Sequence, residues 1–268
     1  MEIITDAAAF YARLVERDRT LETARVVGVD LCDHSLEDVQ LINVAFENCR
    51  LSGSIFARGS VFGVLFLGCE LVETVFLETS FRQVVFGPSE DRSSRLERTA
   101  FIGASGRELG FLHADLSKIA FTHTDVEHVV FEGCSLEECR FLRSAFAEAS
   151  FVQSSLAGGQ MVACELRGAS FEDAKLIEVV MLGCTLDGAR LSRTLMPGSR
   201  FGGCSLRGLD FTVANRAPAS MAGSDLSDAD LSGLELAGVD LRSSTLDRAR
   251  LRDRPARAAL PRSARDRA

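Results

Sequence analysis

From Val26 to Leu251 a bulky apolar residue recurs at every fifth position without a frame slip. Of the 46 positions in this register, 43 carry Leu, Phe, Val or Met, and the exceptions are Asp91, Gly106 and Arg216. Sixteen of the 18 Phe fall on it. Two residues before each bulky position stands a small one: 41 of the 46 such positions hold Ala, Gly, Ser, Thr, Cys or Val. A period of five matches neither an α-helix at about 3.6 nor a plain strand at about 2. It matches a coil with corners, and a short fixed period marks a solenoid. If the small and the bulky residue both point inward and the next two make a turn, each five-residue unit is one side of a square. The large side chain then fills the interior and the small one lets the backbone close around it. Coils stacked about 4.8 Å apart satisfy each other's backbone groups as strands do, and roughly ten such coils make a long rod.

The repeat Ser224-Asp225-Leu226-Ser227-Asp228, with Ala229-Asp230-Leu231-Ser232-Gly233, Val239-Asp240-Leu241-Arg242-Ser243 and Ala114-Asp115-Leu116-Ser117-Lys118, resembles the motif of the pentapeptide-repeat family. The resemblance covers most of the chain. It implies an all-β fold, a right-handed quadrilateral β-helix with four pentapeptides per coil. The reading divides the chain into a capping segment at 1–22 with a short helix, the β-helix at 23–251 and an Arg/Pro-rich tail at 252–268.

In the capping segment Asp6 is the expected helix N-cap, with Phe10, Leu14 and Tyr11 on the apolar face. This helix is expected to cover the open edge of the first coil. The tail carries six Arg and two Asp, a composition that reads as disordered. The whole chain is −8, so the tail's +4 leaves −12 on residues 1–251. Met1 to Asp6 shows no secretory leader and no stretch is long enough to span a membrane, so a cytoplasmic protein with no membrane contact is expected. The 28 Arg against two Lys suggest a GC-rich bacterial gene.

Seven of the eight Cys (49, 69, 134, 139, 164, 184, 204) fall on the small inward position. Zinc sites need paired thiolates at short spacing, which these lack, so they read as buried small hydrophobes in a reducing compartment. His34 also falls on an inward position, while His113, His123 and His128 fall on turns. No cofactor, metal or catalytic group is expected.

Three stretches interrupt the register: Gly87–Arg95, Gly103–Gly110 and Thr212–Ser220. A core position held by Asp, Gly or Arg suggests five extra residues expelled as a loop, because burying an unpaired charge is costly. Just before the first stretch, Ile55, Phe62, Leu65, Leu67, Val72, Val75, Leu77 and Val85 occupy outward positions, with Leu65 and Val85 one coil apart. Such a cluster reads either as a partner or self-association surface or as the β-propensity of a wall strand. With Glu90, Asp91, Arg92, Arg95, Arg107 and Glu108 from the interruptions, all but Val72 form the candidate partner-binding set.

Two function classes stay open, both non-enzymatic. The resemblance extends to the Qnr-type quinolone-resistance group, whose acidic rods imitate DNA and shield DNA gyrase or topoisomerase IV from poisons. That implies a type II topoisomerase as partner, no direct DNA binding and room for a homodimer. Against it, Glu37, Asp38, Glu78, Asp115, Glu137, Glu138 and Glu178 align only roughly, broken by Arg58, Lys118, Lys175 and Arg193. The other class is a general interaction scaffold or secreted effector with an unrelated partner.

Overall fold

The computed structural model describes residues 1–214 and 217–252 and is an all-β parallel solenoid with one helix. Its contacts divide into two compact units, from Met1 to Leu136 and from Glu137 onward.

In the first unit, residues 20 apart stack in parallel, or 25 apart across the first interruption, and each turn has four sides. Side 1 carries single bridges at Asp30, Arg50, Glu70, Arg95, Asp115 and Ser135. Side 2 is built from the strands Ser35–Glu37, Ile55–Ala57, Val75–Leu77, Ala100–Ile102 and Ala120–Thr122, in register Leu36–Phe56–Phe76–Phe101–Phe121. Side 3 holds Thr20–Glu22, Gln40–Ile42 and Ser60–Phe62. Side 4 holds Ala24–Val27, Ala45–Glu47 and Leu65–Leu67. The eight-residue strands Ser80–Gly87, Ser105–Leu112 and Asp125–Glu132 run along side 3, turn a corner and continue along side 4. In the second unit the strands Arg140–Leu142, Gln160–Val162, Val180–Leu182 and Arg200–Gly202 form one side. Its other sides are held by bridges such as Ala145–Glu165–Thr185–Ser205.

The interior of the first unit is an aromatic lattice. On side 4, Phe46, Phe66, Phe86, Phe111 and Phe131 stack ring on ring, 4.7–5.1 Å apart. On side 2, Phe56, Phe76, Phe101 and Phe121 stack at 4.8–4.9 Å. The two stacks meet edge to face, as in Phe101 against Phe111 at 5.8 Å and 90°. Offset stacking within a column and edge contacts between columns are both favoured by the ring quadrupole.

The small inward position has a second job. A bulky residue's carbonyl accepts from the hydroxyl or thiol 23 residues later: Thr74 Oγ1 donates to Leu51 O at 2.8 Å and Thr79 Oγ1 to Phe56 O at 3.0 Å. Cys49, Cys134 and Cys164 do the same to Val26, Phe111 and Phe141 at 3.2, 3.2 and 3.4 Å. Thiol and hydroxyl are therefore interchangeable here, both small enough for the slot and both able to satisfy a buried carbonyl. Burial pushes the Cys134 thiol up to about 11 and the Cys139 thiol up to about 12.

Corners depend on one backbone conformation. Two residues after each bulky position, from Asp18 to Arg248, φ lies in the left-handed region except at Pro88, Ser93, Val213, Pro218 and Gly233. Asn, Asp and Gly tolerate this region best, yet Glu, Arg and His occupy it repeatedly. Proline cannot: its ring locks φ near about −65°. Neither Pro88 nor Pro218 can therefore form the regular corner. The motif's Asp supports the same turn, since Asp225 and Asp230 each accept from the backbone N–H two residues on, at 3.0 Å.

At the N-terminus the helix Ala7–Glu16 is capped by Asp6, which accepts from Ala9 N–H at 2.8 Å. Phe10 and Leu14 are buried, and the Phe10 ring lies 6.1 Å from Phe46, closing the first coil as expected. Ahead of it, the strand Glu2–Ile4 pairs with Ala24–Val27 and carries Ile4 over Val26, an extra row with no pentapeptide signature. His34 corrects the reading of its slot as inward. It is exposed and stacks on Tyr11 at 5.2 Å, because its position lies in the first coil, where the helix takes the place of a preceding turn.

Candidate functional site

The outward apolar residues do not form one patch. Chain order within a turn is side 1, 2, 3, 4, so sides 2 and 4 are opposite walls. Ile55, Val75 and Leu77 lie on side 2, where Val75 pairs with Ile55 and Leu77 with Ala57 and Ile102. Leu65, Leu67 and Val85 lie on side 4, where Val85 pairs with Leu65. Phe62 sits on side 3 beneath Arg82, whose guanidinium carbon is 5.4 Å from the ring centroid. Val72, on side 1, is half-buried. The expectation of a single cluster is thus corrected: residues ten apart in the chain are half a turn apart in space.

Side 4 gathers the largest share of the expected set. Leu65 is 39% exposed, and Leu67, Val85 and Leu112 are half-buried around two glycines. A Cβ built on Gly87 would touch Val85, Leu112 and Leu67 at 3.7–3.9 Å, so glycine there leaves a shallow apolar depression.

Beside this wall, at the corner toward side 1, runs the first interruption. Phe66 pairs with Phe86, 20 residues on, but Glu70 pairs with Arg95, 25 on, so five extra residues are inserted between them. They do not stand away from the body. Ser89 donates to Asn48 Oδ1 at 2.9 Å, and its N–H bonds Arg92 O at 2.8 Å, which lays the segment back along the corner of earlier coils. A Cβ on Gly68 would lie 2.3 Å from Ser89 Oγ, so glycine makes room for it. Ser94 Oγ re-enters the core, donating to Gly87 O at 2.8 Å and accepting from Cys69 N–H at 3.0 Å. Glu90, Asp91 and Arg92 are exposed along the rim.

The other members fall elsewhere. Arg95 is on side 1, held to Glu70 at 3.2 Å and Glu97 at 3.4 Å. Arg107 and Glu108 are exposed on side 3 and its corner. The second interruption is not a loop. Gly103–Gly110 overlaps the strand Ser105–Leu112, and Gly106 stacks on Phe81 in the wall. With φ 139°, any Cβ there would lie 1.8 Å from Phe81 O, so the absent side chain admits a neighbour's backbone. In the third, the 20-residue register persists, with Ser199 O accepting from Ala219 N–H at 2.8 Å. Arg216 and residues 253–268 of the tail lie outside the described residues.

Charge is largely neutralised along side 1 and its corner. Arg50 holds Asp30 at 2.7 Å and Arg98 holds Glu73 at 3.1 Å. Arg58 lies in the same column as Asp38 and Glu78, and pairs with Glu37 at 2.7 Å and Asp38 at 3.2 Å. Asp115 belongs to side 1 instead. In this unit the acidic residues therefore form no continuous stripe. Among the described residues, no helix is long and apolar enough to cross a membrane.

These features define a class, a four-sided repeat scaffold built of parallel walls. Residues 164–203 and 219–253 match the family model "Pentapeptide repeats" in eight copies, so these segments are built of pentapeptide repeats. No curated protein matches it. Among solved structures, it is similar to HetL, a pentapeptide repeat protein involved in heterocyst differentiation regulation from the cyanobacterium Nostoc sp. strain PCC 7120. That similarity is 20% identity over 92% of this chain and 98% of that one, with TM-score 0.43. It is also similar to QnrB1, a plasmid-mediated fluoroquinolone resistance protein, at 17% identity over 87% and 94%, with TM-score 0.47.

Proposed function

We propose that this chain is a non-catalytic protein-binding scaffold that takes its partner on side 4. The observation behind this reading is the placement of Leu65, Leu67, Val85 and Leu112 on one wall, with Glu90, Asp91 and Arg92 on the adjoining rim. An apolar centre beside a polar rim is the common anatomy of a transient protein interface. The complementary surface presents an apolar contact edged by cations for Glu90 and Asp91.

A type II topoisomerase is the finer form of this reading. The −12 carried by residues 1–251 favours it, since a surface evolved to hold DNA attracts a polyanion. Supercoiling by gyrase in the presence of a fluoroquinolone tests it, with wild type and a Leu65→Asp/Val85→Asp variant. Protection by wild type and its loss in the variant support both parts. Neither protection nor inhibition at micromolar protein removes the topoisomerase and leaves a scaffold or effector with an unrelated partner.

A further inference from the structure

The wall opposite, side 2 of the first unit, carries two apolar columns. One runs Ile55, Val75, Ala100, Ala120 and the other Ala57, Leu77, Ile102, Thr122, each in parallel register. Ile55 is 41% and Ile102 37% exposed. The corner toward side 1 carries Gly53, Glu73, Arg98 and Lys118 in successive turns, and the corner toward side 3 carries Arg58, Glu78, Gly103 and His123.

We propose that this wall binds a second copy of the chain, packed face to face with the two stacks antiparallel. A closed dimer needs a two-fold axis in the plane of contact. Put that axis along the strands, between the Val75–Leu77 row and the Ala100–Ile102 row. Val75 then faces the second copy's Ala100, and Ile55 faces its Ala120, so large side chains meet small ones. Leu77 faces Ile102 across the centre. Glu73 faces the second copy's Arg98, and by symmetry Arg98 faces Glu73.

The alternative two-fold runs along the stack and keeps the turns parallel. It places Glu73 opposite the second copy's Glu78, carboxylate against carboxylate, with Asp33 opposite Asp38 two rows away. Sliding the antiparallel axis onto the Val75 row sets Glu73 against itself, and sliding it onto the Ala100 row sets Arg98 against itself. Opposed like charges are costly at an interface, so charge disfavours each of these three arrangements. Four rows at about 4.8 Å make a contact about 19 Å tall, which belongs to the small, transient class of interfaces. This inference concerns a different wall from the one proposed above and stands independently of it.

Glu73 and Arg98 also pair within one chain, at 3.1 Å, so single charge reversals alone would not separate the two roles. Mixing does. The Glu73→Arg chain carries two cations at these positions and the Arg98→Glu chain carries two anions. Each keeps its own internal repulsion in the mixture, and only contact between chains can relieve it. Sedimentation equilibrium from low micromolar to hundreds of micromolar full-length protein reads the association. Circular dichroism and melting confirm that each variant is folded.

The expected result is a wild-type monomer–dimer equilibrium, weakened at least tenfold in each single variant and in Leu77→Asp, and restored in the equimolar mixture of the two charge variants. A wild type that is monomeric throughout overturns the proposal. So does unchanged self-association of the folded Leu77→Asp variant, or a mixture no stronger than its components. Dimerisation lost in Leu65→Asp but kept in Leu77→Asp would place self-association on side 4 and overturn it as well.

Discussion

At the corners, the ordinary ranking of glycine and alanine should invert. Ala163 sits at a corner with φ 53°, exposed, and its N–H bonds Leu182 O at 2.8 Å. One turn on, Gly183 holds the equivalent corner with φ 61°, and a Cβ added there would meet nothing within 4 Å. Packing is thus almost absent from both positions, and the backbone conformation decides. An L-residue in the left-handed region costs roughly 1–2 kcal/mol. Glycine loses roughly 0.5–1 kcal/mol more chain entropy on folding. The first effect wins, so Ala163→Gly should stabilise by about 0.5–1 kcal/mol and Gly183→Ala should destabilise by about the same. For a unit of this size the melting shifts are about 2–5 °C, upward and downward respectively. Paired urea titrations and thermal melts of the two variants measure both. A lower melting point for Ala163→Gly, or no change for Gly183→Ala, would refute the claim that left-handed corners set the local energetics.

Further outcomes follow from the same geometry. Phe101 is fully buried between Phe76 and Phe121, each 4.8 Å away, so Phe101→Ala should cost about 3–5 kcal/mol in urea unfolding and Phe101→Leu less than half of that. Deleting residues 89–93 together with Pro88→Gly should restore a 20-residue turn, leave stability within about 1 kcal/mol of wild type by chemical denaturation, and weaken the partner binding proposed for side 4. A stability loss several times larger would show that the inserted residues are structural. Of the eight thiols, only Cys32 is not buried, so Ellman's reagent at neutral pH should label Cys32 first and reach Cys134 and Cys139 only on unfolding. Rapid labelling of Cys134 in folded protein would contradict its burial. The Ser227 hydroxyl, then its backbone N–H, hold the Asp225 carboxyl below its ordinary value. The stability it contributes is therefore complete above the unfolded carboxyl value near about 4 and lost as pH falls through the folded one. Asp225→Asn should flatten acid unfolding in that window, and an unaltered acid transition would dismiss the contribution.

Much of the fold was legible in one dimension because its rule is local. Phe131, Phe151 and Phe171 are each fully buried, as the five-residue period requires. The seven inward cysteines are buried too, for the reason composition suggested: a small, weakly polar group fits the slot. The Asp6 cap and the buried Phe10 and Leu14 followed from ordinary helix signals. The candidate site was legible only in part. Leu65, Leu67 and Val85 share a wall, but Ile55, Val75 and Leu77 belong to the opposite one, because proximity along the chain is a poor guide when ten residues carry it across the core.

What five-residue periodicity determined was which residues face inward, since each side of a turn is specified by its own two inward positions. Which wall an outward residue joins was decided only when the turn closed. Closure at 20 residues, stretched to 25 where Pro88 cannot adopt the left-handed corner, sets what stacks on what. The same stretch places Gly106 over Phe81, so that a residue resembling a break in the repeat becomes the point where one coil's backbone enters the next. Inward positions answer to local sterics, whereas the makeup of each outer wall answers to the arithmetic of the whole turn.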